Sequence, residues 1–134
     1  MKKLPFLLLA ICFACIACDN NNPDSTNQEE DSKKLKQMYQ EIIQLSEANS
    51  QPCTDSKDWD FTAIGSQSCG GVAAYIMYSK KINKEAFLAK VKAYTDAEIT
   101  YQKKWNILAT CDILKRPTGV KCTDNKPQLS YDPI

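Results

Sequence analysis

The chain has no histidine. Ser-His and Cys-His nucleophile pairs and histidine-ligated metal sites are therefore outside its chemistry. Carboxylate, lysine, tyrosine or serine chemistry is what remains. Charge of either sign is not in excess: 17 Lys and Arg stand against 16 Asp and Glu, a formal +1. No basic stripe is available to follow a nucleic-acid backbone, so nucleic acid is not an expected partner. Long apolar runs are missing too. Residues 4–17 make a run of 14, and a membrane-spanning helix takes about 20. Glycine is scarce, with four in 134 residues, so the adjacent pair Gly70 and Gly71 marks a point of special backbone freedom.

What is present begins at the N-terminus. Met1-Lys2-Lys3 precedes the apolar run, and Ile16-Ala17-Cys18 is followed at once by Asp19-Asn20-Asn21-Asn22. A charged start, a short apolar stretch and a small residue at the junction are the parts of a secretory signal. The arrangement around Cys18 resembles a bacterial lipoprotein signal peptide with its lipobox, although Cys15 stands where that motif usually carries Leu. The resemblance implies cleavage after residue 17 and acylation of Cys18. Cys15 is the rival junction, but it would leave Ile16 and Ala17 exposed and puts bulky Phe13 two residues before the cut. The expected address is the cell envelope, anchored by lipid to the outer membrane on its periplasmic or surface-exposed face. Stable anchoring takes more than one acyl chain, and this lipoprotein type carries two or three.

The organisation expected is a cleaved signal at 1–17, a lipidated cysteine with an unordered acidic tether at 18–31, and one small domain at 32–134. The tether stretch is almost wholly polar and has too little apolar surface to order itself. Leu35, Met38, Tyr39, Ile42, Ile43 and Leu45 recur at helical spacing and predict a helix over about 32–48. Trp59, Phe61 and Ala63 alternate with polar residues and predict a short extended segment. The apolar run 72–78 reads as a short buried helix, with a strand as the alternative. Asn83 is placed to cap a long helix reaching about residue 111, with Phe87, Val91, Tyr94, Glu98, Tyr101, Trp105 and Leu108 along one face. Residues 120–123 and 128–131 read as a hairpin around Asp124-Asn125-Lys126. The fold class expected is mainly α: three helices, one of them long, with a small C-terminal β-hairpin and disulfide staples.

Cys53, Cys69, Cys111 and Cys122 remain after Cys18. An even count in an exported domain predicts two disulfides, with three possible pairings. None of the four stands in CxxC spacing, so no metal and no cofactor is expected. Short closures favour Cys53–Cys69 with Cys111–Cys122; the nested pairing, Cys53–Cys122 with Cys69–Cys111, stays open. An up-down-up run of three helices would gather all four near one end.

Several constellations carry a functional and a plain reading. Asp55, Asp58 and Asp60 offer three hard oxygens, but without EF-hand spacing they read as a solvated loop. Glu98 interrupts an aromatic stripe; a carboxylate buried there needs a partner or a raised pKa. Gly70 and Gly71 allow either an anion cradle or a close approach of the Cys69 disulfide. Trp59, Phe61 and Lys126 complete the candidate binding residues, as exposed aromatics and loop cations serve interfaces.

Further similarity runs through residues 53–131. Trp59-x-Phe61-x-x-Ile64-Gly65, Cys69-Gly70-Gly71, Tyr75-Ile76-x-Tyr78-Ser79, Tyr94, Trp105, Cys111, Val120-x-Cys122 and Lys126-Pro127 together resemble a group of small lipoproteins of Gram-negative bacteria. That group brings no activity with it. The expectation is a lipid-anchored, non-catalytic binding module for a protein or an envelope component. An inhibitor of an extracytoplasmic hydrolase, such as a lysozyme or protease, is the alternative, and a histidine-independent enzyme ranks third.

Overall fold

The computed structural model describes residues 23–108 and 111–132. The expected signal at 1–17 and the lipidation site at Cys18 lie outside them. Two helices, a short 3-10 turn and four strands follow in order: α1 (Pro23–Leu45), the turn Ser56–Asp58, β1 (Trp59–Ser66), β2 (Val72–Ser79), α2 (Lys84–Lys104), β3 (Gly119–Thr123) and β4 (Lys126–Ser130). The strands form two separate antiparallel hairpins, β1-β2 and β3-β4. Three helices with a single hairpin is therefore the wrong fold class.

The stretch expected to be the middle helix is β2. Its register against β1 runs from Trp59↔Ser79 to Ser66↔Val72. Ile64, Ile76 and Tyr78 face the helices and join Ile42, Phe87 and Val91 in the core. Trp59, Phe61 and Tyr75 take the other face, where Phe61 and Tyr75 meet edge to face at 6.0 Å. The second hairpin contacts both strands of the first. With both faces partly covered, 72–78 shows no polar alternation, and periodicity alone does not separate a buried strand from a buried helix turn.

The helices are antiparallel. Lys90 pairs with Glu41 at 2.7 Å, and Lys104 pairs with Asp31 at 2.6 Å. Asp31 also accepts from the Trp105 indole at 3.1 Å. Proline suits a first helical position, where its missing N–H is no loss, and α1 starts at Pro23, inside the stretch expected to be a tether. At its other end Ser46 is fully buried, and its carbonyl accepts the Ser79 N–H at 3.0 Å. That bond docks the end of α1 on the end of β2.

Helix α2 starts as expected. The Asn83 side chain accepts the Ala86 N–H at 3.1 Å. It stops seven residues early, at Lys104. Asn106 takes a left-handed conformation with φ 49°, and the Ile107 N–H bonds to the Gln102 carbonyl. This is a Schellman stop, with asparagine doing what glycine usually does. Asp124 and Asn125, with φ 50° and 59°, make the two-residue turn joining β3 to β4.

The disulfides are Cys53–Cys122 and Cys69–Cys111, with Cα atoms 5.3 and 6.2 Å apart. The favoured short closures are overturned. Cys53 precedes β1 and Cys69 follows it. Eight strand residues separate the ends by about 26 Å, far beyond the roughly 7 Å that a disulfide tolerates between Cα atoms. For the same reason the four cysteines are not gathered at one end. Cys53–Cys122 ties the chain entering the base of the first hairpin to β3, and Cys69–Cys111 ties the hairpin's tip to the segment after α2.

Candidate functional site

The tip of the β1-β2 hairpin is built by polar bonds rather than by apolar core. Helix α2 presents Thr95, Glu98 and Gln102 on one face. The Gly65 N–H donates to Thr95 Oγ1 at 3.0 Å, the Ser66 N–H donates to Glu98 Oε2 at 2.8 Å, and Gln102 Nε2 donates to the Ser66 carbonyl at 2.7 Å. Backbone groups at the end of a two-stranded sheet have no third strand, and these side chains take that role. Gly65 is required there. It has φ +73°, and a Cβ would stand 2.5 Å from Glu98 Oε2.

Glu98 is thus placed by its hydrogen bonds. One oxygen serves Ser66, and the other accepts the Tyr94 hydroxyl at 3.1 Å. Burial, and then the nearby Glu98 charge, raise the Tyr94 hydroxyl far above its ordinary pKa. The partner that a semi-buried carboxylate needs is therefore a backbone amide and a tyrosine.

Beyond Ser66 the chain turns through residues 67–71. The Gln67 N–H donates to the Gly71 carbonyl, and the Gly70 N–H donates back to the Gln67 carbonyl. Gly70 and Gly71 have φ +90° and +97° and open space where a side chain would stand. Gln67 Nε2 clamps two strands of chain, donating to the Val72 and Asp112 carbonyls at 3.0 and 2.9 Å. The Cys69–Cys111 bridge joins the same two strands of chain covalently.

This fixed frame holds large apolar side chains out in solvent. Leu108 is 85% exposed and Ile113 102% exposed, with Leu114 also open. They flank the turn on two sides. A depression of about 320 Å³ includes Leu108, Lys103, Gln67 and Gly70, and one of about 380 Å³ includes Ile113, Leu114, Gln67 and Gly70. Leu108 was expected on the face of the long helix; the Schellman stop at Asn106 takes it off that face. Ile113 and Leu114 had not been singled out. The usable signal was Asn106, which ends the helix and leaves the following apolar residues without a helical face to join.

The other candidates are elsewhere. Trp59 is buried at the base, Phe61 is stacked in mid-hairpin, and Lys126 is exposed beside the β3-β4 turn. Gly70, Gly71 and Glu98 belong to the tip. The six do not converge on one site. The acidic residues 55, 58 and 60 each have their own bond: Asp55 caps the 3-10 turn, Asp58 pairs with Lys81 at 2.8 Å, and Asp60 accepts from Tyr78 at 3.0 Å. Among the described residues, no group of three acidic or cysteine side chains is placed to hold a metal. No described helix is long and apolar enough to cross a membrane.

Comparison with protein-family models, curated proteins and solved structures finds no match.

Proposed function

We propose that this chain is a lipid-anchored envelope protein that works as a non-catalytic binding module, with the hairpin tip as its binding face. The observation that carries this reading is the exposure of Leu108, Ile113 and Leu114 on a frame fixed by the Cys69–Cys111 bridge, Gln67 and the α2 side chains. Ile113 and Leu114 border one depression and Leu108 the next, with Gln67 and Gly70 common to both, and exposed apolar surface of this kind marks interaction sites. A frame ordered before binding lowers the entropy lost on association. The lipobox-like sequence around Cys18 supports the anchor, and with it an address in the envelope.

The test is a crosslinking pull-down of the full-length protein from its own envelope, with Leu108→Ser/Ile113→Ser beside it. One dominant product, lost in the double variant while the fold is kept, is the expected result. An unchanged product in the double variant contradicts the reading. A second reading, inhibition of an extracytoplasmic hydrolase, draws on the stapled turn 67–71, whose open glycines suit insertion into a cleft. A hydrolase as the crosslinked product would favour it.

A further inference from the structure

The two disulfides differ in how a thiol can reach them. Cys53 is 1% exposed, whereas Cys69 and Cys111 are both exposed. The exposed pair stands in the wall of the depression of about 380 Å³, with Tyr75, Ile113 and Leu114. Gly70 and Gly71 follow Cys69 and have open space where side chains would stand, so neither covers the bridge. Asp112 is the one charged residue among those lining the depression. Thiol–disulfide exchange needs a thiolate to approach a sulfur, and exposed bridges are the labile or regulatory ones. A partner entering here meets a disulfide and apolar side chains, and has little charge to match.

What the bridge holds is local. Residues 112–116 are exposed and have no regular structure. Among the described residues, two hydrogen bonds tie them to the rest of the domain. Gln67 Nε2 donates to the Asp112 carbonyl at 2.9 Å, and Lys115 Nζ donates to the Tyr131 carbonyl at 3.3 Å. Both bonds are exposed, so water competes for the same groups. The covalent tie at Cys111 is what fixes the stretch carrying Ile113 and Leu114. The hairpin side is held without it, because Thr95, Glu98 and Gln102 bind Gly65 and Ser66. The core cluster of Ile42, Ile64, Ile76, Tyr78, Phe87 and Val91 includes no residue of the stretch. Breaking Cys69–Cys111 therefore frees 112–116 and leaves the core and Cys53–Cys122 in place.

We propose that the Cys69–Cys111 bridge is a thiol–disulfide exchange site for a dithiol oxidoreductase of CxxC type, and that its redox state sets whether Ile113 and Leu114 are held on display. The oxidoreductase thiolate attacks one of the two sulfurs and forms a mixed disulfide, and the other cysteine leaves as a thiolate. The second thiol of the oxidoreductase then attacks the mixed disulfide, closes its own disulfide and releases the second cysteine. The two protons and two electrons of the dithiol end on Cys69 and Cys111. The display half of the proposal rests on the reading of the tip as the binding face; the exchange half stands on the exposure of the bridge.

The test uses the full-length protein in detergent. The probe is a thioredoxin whose second CxxC cysteine is replaced by serine, so that the mixed disulfide cannot resolve. Peptide mapping by mass spectrometry should find the probe joined to Cys69 or Cys111, with Cys53–Cys122 intact. Ile113→Ser/Leu114→Ser should slow that capture about tenfold or more, while dithiothreitol reduces parent and variant alike. After treatment with unmodified reduced thioredoxin, the protein lacking only the tip bridge should show faster amide exchange at 112–116 and unchanged exchange from Phe87 to Val91. No capture, equal capture at Cys53 or Cys122, capture of the variant as fast as the parent, or unchanged exchange at 112–116 overturns the proposal. If capture and amide exchange follow as expected while Leu108→Ser/Ile113→Ser keeps its envelope crosslink, the binding-face reading fails and the exchange site stands. If that crosslink is lost but no mixed disulfide forms, the exchange site fails and the binding face stands.

Discussion

The two ends of the first hairpin carry the same covalent device in opposite settings. At the base, Cys53 is 1% exposed, and its N–H donates to the Asn125 carbonyl. At the tip, Cys69 and Cys111 are both exposed, and the bridge is surrounded by backbone clamps and outward-facing apolar residues. A buried disulfide adds packing to the restriction it places on the unfolded chain. An exposed one adds mainly the restriction, and it fixes a surface. The base is thus where the fold is held together, and the tip is where it is displayed.

Removing the bridges one at a time should break this symmetry most strongly. The loops closed are long, with sequence separations of 69 and 42, so each bridge contributes about 4 kcal/mol in the chain-entropy model. Cys53→Ala/Cys122→Ala also opens space in the core, and should cost at least 1 kcal/mol more than Cys69→Ala/Cys111→Ala in urea unfolding. Equal losses would remove the contrast. Under limiting reductant, the tip pair should be alkylated first, because exchange needs access to sulfur; alkylation at Cys53 first would reverse it.

A smaller effect tests the polar joint between α2 and the tip. Gly65→Ala puts a methyl against Glu98 and asks alanine to keep a left-handed φ. A loss of about 2 kcal/mol is expected, together with faster amide exchange at Ser66. A neutral substitution would mean that α2 does not hold the tip.

The smallest effect belongs to the base, where Asp60 accepts from the Phe61 N–H, the Tyr78 hydroxyl and Lys84. Burial pushes its carboxyl up, and these three donors more than offset that, leaving its pKa below the ordinary value. A carboxyl depressed on folding stabilises above its unfolded pKa of about 3.9 and loses that contribution as pH falls through the lower folded value. Acid unfolding followed by fluorescence should therefore show a shallower dependence below about pH 4 in Asp60→Asn. The same slope in both proteins would mean that this cluster adds nothing.

Some of this could be read from sequence because it is local. The Asn83 cap, the helical spacing around Ile42 and the Asp124-Asn125 turn are decided by neighbouring residues. The extended stretch from Trp59 was visible in its alternation. Residues 72–78 were not, since their partner strand and the covering on both faces are tertiary. The disulfide pairing went wrong for a related reason: loop length ranked the closures, while the strand between Cys53 and Cys69 decided them. The start of α1 looks too polar to order, and the bonds that Asp31, in its third turn, makes to residues 104 and 105 span 73 and 74 residues. Of the tip, Cys69, Gly70, Gly71, Glu98 and Cys111 were singled out from sequence. The exposure of Ile113 and Leu114 was not legible, because apolar residues in a small domain are expected to be buried.

The division of labour between base and tip is tested most directly by placing a photo-reactive amino acid at position 113 or at position 126 in the full-length protein and irradiating its own envelope. The predicted result is a strong product, lipid or protein, from position 113 and none above background from position 126. Strong products from 126 with none from 113 would contradict it.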